Sequence, residues 1–401
     1  MKKRKNLFLF FISWQLVVVA QPTTDVKKLP NSDYFTIRGG LHNFYKAVAV
    51  QKEATVAFMG GSITFNPGWR EKVCDYLTKK FPAIHFRFIA AGIPSLGSLP
   101  HSFRLQRDIL DSGKIDLLFL EAAVNDRVNN TDSLTQVRAL EGIVRHTLQA
   151  NPQANIIMMA FADPGKNNDY ATHLIPVEVS NQERVATYYN LPSVNLAKEI
   201  SERLQHKEFS WEKDFVDLHP SPFGQQLYAE SIKALLDTCF KQKRLPSKTH
   251  RLPAPLDKSN FDKGRYVSPD KAHYTSGWNL DTDWVPSDNL STRKGFVHRP
   301  MLISTQPGSS LNFHFKGNAV GIAIVSGADA GIISYSIDGG SFVKYNLYTN
   351  WSSSLHLPWY ILLGSGLKNG SHKLEIKIDP GKDPRSKGNA CRIIYFLVNG
   401  A

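Results

Sequence analysis

The sequence predicts two domains in series, a three-layer α/β/α domain followed by an all-β domain. The chain has 401 residues, which is longer than one ordinary domain. Between residues 54 and 240, short continuous apolar runs alternate with stretches of helical periodicity, a pattern typical of a parallel sheet covered on both faces. Beyond residue 257, apolar residues recur at every second position and no helical pattern appears.

The first 20 residues have the pattern of a signal peptide. A basic run at residues 2–5 precedes an apolar run at 7–20, and a small residue is available for cleavage before Gln21. We therefore expect a secreted or periplasmic protein, with an uncleaved anchor as the alternative. No cysteine lies near the cleavage point, which argues against a lipoprotein, and no other stretch is long enough to cross a bilayer. Residues 21–53 are expected to lead into the first domain.

The α/β domain is expected to span residues 54–240. Its strand-like runs lie at 54–60, 85–91, 115–122, 154–161 and 192–196. The helix-like runs lie at 69–80, 99–111, 131–150, 177–190, 197–206 and 222–240. Right-handed crossovers between parallel strands place such helices on both faces of the sheet.

A basic, proline-containing segment at residues 241–256 is typical of a linker. The domain that follows, residues 257–401, is predicted to be an antiparallel β-sandwich, with a jelly roll as one form of it. Its strand-like runs lie at 311–316, 319–326, 331–337, 342–347, 372–378 and 391–398. Asp338-Gly339-Gly340 and Lys368-Asn369-Gly370 are predicted hairpin turns.

Charge and cysteine content exclude several classes of protein. The formal charge is +13, and loss of the signal peptide with its basic run leaves about +9. The basic residues are scattered, so we expect no nucleic-acid partner. Cys74, Cys239 and Cys391 are too few for a disulfide-rich scaffold and form no CxxC motif, which leaves either one disulfide or three thiols. The histidines show no metal-ligand spacing such as HExxH, and we expect no metal or cofactor.

The chemistry is expected at the end of the first strand, where Gly60-Gly61-Ser62 interrupts an apolar run. A serine nucleophile needs a general base and donors for the oxyanion that it forms. His219, with Asp217 two residues before it, can supply the base and its orienting carboxylate. Gly92 ends the second strand and Asn125 follows the third. Because the carboxyl ends of parallel strands meet at one edge, these residues are predicted to form one site.

These four segments resemble the four sequence blocks of the SGNH (GDSL-type) hydrolases. The blocks Gly-Asp-Ser, a lone Gly, Gly-x-Asn-Asp and Asp-x-x-His correspond to Gly60-Gly61-Ser62-Ile63-Thr64, Gly92, Ala123-Val124-Asn125-Asp126 and Asp217-Leu218-His219. The GGSIT form of the first block resembles a bacterial branch of that superfamily. The resemblance implies a flavodoxin-like sheet and ester hydrolysis, with Ser62 as nucleophile, His219 as base and Asp217 as its orienting acid. It also implies an oxyanion hole made by the N–H groups of Ser62 and Gly92 and the side chain of Asn125.

The sequence departs from the family pattern at three positions. Gly61 replaces the usual aspartate and Ala123 replaces a glycine, and neither change removes a catalytic group. The acid stands two residues before the histidine instead of three, and Val216 occupies the usual position. Asp217 is therefore the predicted orienting acid, with Asp214 or a Ser–His dyad as alternatives.

The all-β domain carries an aromatic group in which Tyr348, Trp351 and Trp359 are candidate substrate-binding residues, with a role in the domain core as the alternative. Its pattern resembles that of galactose-binding-like modules. We therefore expect an exported serine esterase that removes acyl groups, chiefly acetyl, from a polysaccharide or oligosaccharide, with no membrane partner beyond export. A lipolytic esterase of the same superfamily and a glycan-binding protein with a degenerate α/β scaffold remain open as alternatives.

Overall fold

The computed structural model describes residues 27–242, 251–293 and 295–400. The predicted signal peptide and residues 243–250, half of the predicted linker, lie outside these ranges. Within them, no helix combines the length and the apolar character that a membrane span requires. The strands of the described residues form two sheets, one of six strands and one of nine.

The first sheet has the spatial order β1-β6-β5-β4-β2-β3. Its strands are β1 (Phe35–Thr36), β2 (Glu53–Gly60), β3 (His85–Gly92), β4 (Leu117–Glu121), β5 (Asn155–Ala160) and β6 (Ser193–Asn195). Strands β2 to β6 run parallel, and the short β1 pairs antiparallel with β6. Numbered along the chain, the five parallel strands lie in the flavodoxin order 2-1-3-4-5. The predicted parallel sheet is confirmed.

Helices connect these strands and cover the sheet. They are α1 (His42–Val50), α2 (Ser62–Phe65), α3 (Trp69–Lys80), α4 (Ser98–Asp108), α5 (Ala123–Val128), α6 (Ser133–Ala150), α7 (Pro164–Ala171), α8 (Val177–Tyr188), α9 (Leu196–Gln205) and α10 (Pro222–Lys241). The six predicted helices are present as α3, α4, α6, α8, α9 and α10. The sequence does not predict α2, α5 and α7, because four to eight residues are too few to show a periodic apolar pattern.

Alternate residues of β2 pack on opposite faces of the sheet. Val56 and Phe58 belong to an apolar core that includes residues of α3 and α10. Ala57 and Met59 belong to a second core, formed with residues of α4, α6 and α8. Burial on both faces explains why the strand is apolar at consecutive positions, and it confirms the three-layer arrangement.

The second sheet is antiparallel at every strand pair of the described residues. Its strands are β7 (Gly264–Val267), β8 (His273–Tyr274), β9 (Trp278–Asp281), β10 (Met301–Ser304), β11 (Ser310–Ser326), β12 (Ile332–Ile337), β13 (Val343–Asn346), β14 (Leu357–Ile378) and β15 (Cys391–Asn399). The predicted antiparallel β domain is confirmed. The runs predicted at 311–316 and 319–326 form one strand, β11, because a register shift between Gly317 and Ala319 absorbs the irregularity.

One of the two predicted hairpin turns is correct. Asp338 and Gly339 have positive φ values of 52° and 77°, and the turn closes with a hydrogen bond of 3.0 Å from the Gly340 N–H to the Ile337 carbonyl, between the paired strands β12 and β13. The turn predicted at Lys368-Asn369-Gly370 is wrong, because this segment lies inside β14. Ser365 pairs with Ala319 of β11 and Gly370 pairs with Gly317, so β14 has more residues than β11 between these two pairs. The register shift there accommodates the additional residues of β14.

The all-β domain packs directly against helix α4 of the α/β domain. Ala319 and Val325 on β11 share a buried apolar cluster with Phe103 on α4. At the edge of this contact, Arg107 donates a hydrogen bond of 2.8 Å to the hydroxyl of Tyr395 on β15. Since α4 follows β3, the second domain lies beside the strand ends at which the site is predicted.

The three cysteines are free thiols. Cys74 is half-buried, and Cys239 and Cys391 are buried. Burial raises the pKa of each thiol to about 12, so all three are protonated at neutral pH. Of the two alternatives that the sequence left open, three thiols is correct.

Candidate active site

Ser62 lies at the carboxyl end of β2, as the first residue of α2. Strand β2 has β3 on one side, where Gly60 pairs with Gly92, and β4 on the other, where Met59 pairs with Leu120. The order of the parallel strands reverses at β2, and open α/β sheets bind their ligands at such a switch point. The fold therefore places the predicted nucleophile where this architecture forms its sites.

The hydroxyl of Ser62 is in hydrogen-bond contact with the ring of His219. The distance from Ser62 Oγ to His219 Nε2 is 2.8 Å. His219 comes from the loop between a π-helical turn, Trp211–Phe215, and the start of α10. This loop folds back over the sheet edge, so residues 157 positions apart in the chain meet. A serine at this distance from an imidazole has the geometry of a nucleophile and its general base.

Asp217 lies near the imidazole but does not hydrogen-bond to it. One Asp217 carboxylate oxygen is 3.7 Å from His219 Nδ1, and the same atom accepts a bond of 2.5 Å from the backbone N–H of His219. The Asp217 side chain is 64% exposed. Asp214, the alternative acid, accepts from the backbone N–H of Ser210 at 2.8 Å. The Asp217 carboxylate can therefore influence the ring in two ways: its negative charge lies close to Nδ1, and its bond to the His219 backbone helps to hold the loop that positions the ring.

The backbone just before Asp217 has an unusual conformation. Val216 has φ 83° and ψ −64°, the angles of a strained γ-turn that a β-branched residue rarely adopts. Val216 occupies the position of the acid in the family pattern. The turn directs the chain from the π-helical segment into the loop that carries His219, and it fixes where the neighbouring carboxylate can reach.

The predicted oxyanion-hole residues lie together around the turn that carries Ser62. The N–H group of Ser62 has no acceptor within its own helix, because Ser62 is the first residue of α2. A Cβ atom at Gly61 would lie 2.0 Å from Asn125 Oδ1, so the buried Asn125 amide rests directly against the nucleophile turn. A Cβ atom at Gly92 would lie 2.4 Å from Phe65 N, so glycine is required for α2 to pack this closely on β3. Ser62, Gly92 and Asn125 thus meet at one place.

A buried arginine supports the strand ends next to Ser62. The fully buried Arg104 on α4 donates from Nη2 to the carbonyl of Ala91 at 2.6 Å and to that of Gly60 at 3.4 Å. Its Nη1 donates to Asp108 at 2.8 Å. These carbonyls directly precede Gly92 and the nucleophile turn, so Arg104 is a positioning residue for both.

Two carboxyl groups are buried behind Asn125. Burial raises the pKa of Glu121, at the end of β4, to about 7, and it raises the pKa of Asp126 to about 7. Asp126 accepts hydrogen bonds from the N–H and the hydroxyl of Ser98, at 2.8 and 2.9 Å. These contacts tie α5, which carries Asn125, to the start of α4, and they indicate a structural role for Asp126.

Ser62 and His219 open into a cavity of about 420 Å³ that both domains line. The α/β domain contributes Ser62, Phe65, Asn66, Pro94, Ser95, Val124, Asn125, Val128, Asn129, Leu218 and His219. The all-β domain contributes Arg293 and Trp351. Among the described residues, no cluster of three or more His, Cys, Asp and Glu side chains could hold a metal ion.

A second cleft of about 190 Å³ adjoins the first, and the two share Ser95 and Asn129. Its wall in the all-β domain includes Tyr345 and Trp359. The rings of Trp351 and Trp359 lie with their centroids 6.0 Å apart, so these two tryptophans form a continuous aromatic surface from one cleft to the other.

Tyr348, the third aromatic candidate, lies elsewhere. It is buried in the core of the all-β domain, with the guanidinium of Arg385 4.9 Å from its ring centroid, and it lines neither cleft.

The sequence does not single out Ser95, Asn129 or Arg293. Ser95 has a φ of 72° in the left-handed region, and its carbonyl accepts a bond of 3.0 Å from the Asn129 side chain. Arg293 belongs to a loop without sequence periodicity in a different domain. The position of Asn129, four residues after Asn125 in a short helical turn, is the one feature that could have indicated a shared surface.

Residues 58–227 match the model of the GDSL-like lipase/acylhydrolase family. The match covers most of the α/β domain. The match covers Ser62, Gly92, Asn125 and His219, so the SGNH resemblance is confirmed at the level of the family, and the chain is an ester-hydrolysing enzyme. No curated protein matches the sequence.

Two solved structures resemble the chain over both domains. One is a two-domain esterase active on acetylated mannans, co-crystallized with mannopentaose; it is 21% identical, and the match covers 93% of this chain and 99% of the other, with a TM-score of 0.75. The second is described as a two-domain esterase active on acetylated mannans; it is 19% identical, with the same coverage and a TM-score of 0.73. At these identities the likeness establishes a shared two-domain fold.

Proposed function

We propose that this SGNH-family enzyme is an exported serine esterase that removes acyl groups, chiefly acetyl, from a polysaccharide or oligosaccharide. The observation that carries the proposal is the contact of 2.8 Å between Ser62 Oγ and His219 Nε2 at the switch point of the sheet. Export rests on the pattern of the first 20 residues.

In the proposed mechanism, His219 Nε2 takes the proton of Ser62 as Ser62 Oγ attacks the acyl carbon. The N–H groups of Ser62 and Gly92 and the Asn125 amide donate to the resulting oxyanion. The bond between the acyl carbon and the sugar oxygen then breaks, and His219 returns the proton to that oxygen. A water molecule, deprotonated by His219, attacks the acyl-serine ester and releases the carboxylic acid with Ser62 restored.

Asp217 is the proposed partner of His219 in this cycle. Its carboxylate lies within ion-pair distance of Nδ1, so its negative charge favours the imidazolium that forms when Ser62 loses its proton. Its hydrogen bond to the His219 backbone also holds the loop in shape. This contribution is weaker than that of a buried acid bonded to the ring, because solvent screens an exposed charge.

The aromatic surface beside the catalytic cavity supports a carbohydrate substrate. Trp351 lines the cavity that contains Ser62, and Trp359 continues the surface into the adjoining cleft. Flat aromatic faces suit the apolar faces of sugar rings, and the polar groups of Asn66, Ser95 and Asn129 are available for hydroxyls. The two-domain esterases of the same fold are active on acetylated mannans, which favours this substrate class.

The test compares wild type with Ser62→Ala on a chromogenic acetate and on a panel of acetylated polysaccharides. We expect acetate release by wild type and none above background by the variant, with an unchanged unfolding temperature. Full activity of Ser62→Ala would contradict the proposal. Preference of the wild type for long acyl chains over acetyl would favour a lipolytic enzyme, and retention on polysaccharide without any hydrolysis would favour a glycan-binding protein.

A further inference from the structure

Arg293 is the charged residue that the all-β domain contributes to the catalytic cavity. It lines the cavity that contains Ser62 and also a neighbouring cavity of about 470 Å³ that contains Gly92 and Arg70. Arg293 therefore lies between two open spaces: the first contains Ser62, Asn125 and His219, and the second contains Gly92.

The guanidinium of Arg293 lacks a compensating carboxylate. Its Nη2 donates to Ser95 Oγ at 3.2 Å, and its Nε is buried without a hydrogen-bond partner. Within the described part of the chain, no Asp or Glu forms a salt bridge with it. Arg70, across the second cavity, differs in this respect, because it forms an ion pair with Glu71 and donates to the carbonyl of Thr64 at 2.7 Å. The guanidinium is therefore left with an unpaired Nε–H and without a counter-charge, which is costly at a partly buried position.

The loop that carries Arg293 is held firmly in place. The neighbouring Thr292 pairs with His356 in a β-bridge and donates from its hydroxyl to the His356 carbonyl at 2.8 Å. The buried His356 ring contacts Asp288 at 2.8 Å, and its backbone N–H donates to Ser291 at 2.8 Å. These anchors hold the backbone that leads directly into Arg293, so the position of its guanidinium at the cavity is set by contacts with His356.

We infer that Arg293 binds a carboxylate of the substrate, and that the polysaccharide therefore contains uronic acid residues at or next to the acetylated sugar. This inference rests on the proposed function. A guanidinium presents N–H groups in a planar fork that matches a carboxylate, and an unpaired one in a partly desolvated cavity favours such a ligand. The net positive charge of the chain attracts an acidic polymer over longer distances.

The experiment measures acetate release from acetylated polygalacturonate and from acetylated mannan of similar acetyl content. Wild type is compared with Arg293→Gln and with Arg299→Gln, an exposed arginine on the same loop that loses the same charge. We expect Arg293→Gln to lower the ratio of kcat/KM for the acidic polymer to that for the neutral polymer at least tenfold, mainly through KM. We expect Arg299→Gln to leave the ratio unchanged.

An unchanged ratio in Arg293→Gln, or an equal fall in both variants, would overturn the inference. A second measurement needs no variant: methyl esterification of the acetylated polygalacturonate should raise the KM of wild type about tenfold, and an unchanged KM would also overturn it. If the proposed esterase function itself is wrong, the result differs: the wild type would release no acetate from either polymer or from the chromogenic ester.

Discussion

Substitution of Asp217 by asparagine tests how the acid acts on His219. The change removes a negative charge and keeps an oxygen that can still accept from the His219 backbone N–H. In a triad whose buried aspartate bonds to the ring, this substitution lowers kcat about 10,000-fold, because the imidazole adopts the wrong tautomer. Here the carboxylate oxygen is 3.7 Å from Nδ1 and the side chain is 64% exposed, so we expect a much smaller loss.

The magnitude follows from the separation of the charges. Two unit charges 3.7 Å apart interact by about 1 kcal/mol at the dielectric constant of water, and the exposure of Asp217 favours a value near that limit. About 1 kcal/mol in the transition state corresponds to a loss of roughly fivefold in kcat. Asp217→Asn is therefore expected to retain roughly one fifth of the wild-type turnover.

The assay is steady-state hydrolysis of a chromogenic acetate at several ionic strengths. Because the interaction is between partly exposed charges, the difference between wild type and Asp217→Asn should shrink as salt is added. Glu212→Gln, which removes an exposed charge from the preceding π-helical turn, is the control and should behave as wild type. A loss of 1,000-fold or more in Asp217→Asn would refute the reasoning, since it would mean that the carboxylate bonds to the ring during catalysis.

Three further substitutions test the surroundings of the nucleophile. Asn125→Ala should lower kcat about 100–1,000-fold with little change in KM, the cost of one oxyanion donor; wild-type kcat would remove Asn125 from the oxyanion hole. Arg104→Gln should lower the free energy of unfolding in urea by about 2–3 kcal/mol, because it removes charged hydrogen bonds to the Ala91 carbonyl and to Asp108, which keeps Arg107 as a partner; an unchanged value would contradict this. Burial raises the pKa of Asp126 from 3.8 to about 7, so unfolding releases protons from this group between about pH 4 and 7 and wild-type stability falls there as the pH rises. Asp126→Asn removes this dependence. In urea unfolding, the free energy of unfolding of the variant minus that of wild type should therefore rise by up to about 4 kcal/mol between pH 4 and pH 8. A difference that stays constant with pH would refute the assignment.

The sequence by itself determines the architecture of the α/β domain. Helix α3 spans Trp69–Lys80, as the periodicity predicts, and the five parallel strands lie within a few residues of their predicted limits. Such elements are predictable because burial on two faces requires continuous apolar strands and burial on one face requires periodic helices. The association of Ser62, Gly92, Asn125 and His219 is also predictable, because parallel strands bring their carboxyl ends to one edge.

The tertiary structure alone decides two features of the site. The distance from Asp217 to the imidazole depends on the torsion angles of one turn, at Val216, and neither periodicity nor spacing encodes such angles. The contribution of Arg293 and Trp351 depends on how the second domain packs on α4, a contact between segments more than 150 residues apart in the chain. Local sequence patterns carry no information about such distant pairs. The sequence therefore singles out Trp351 and Trp359 as aromatic candidates, but it cannot place them beside Ser62 and it does not single out Arg293.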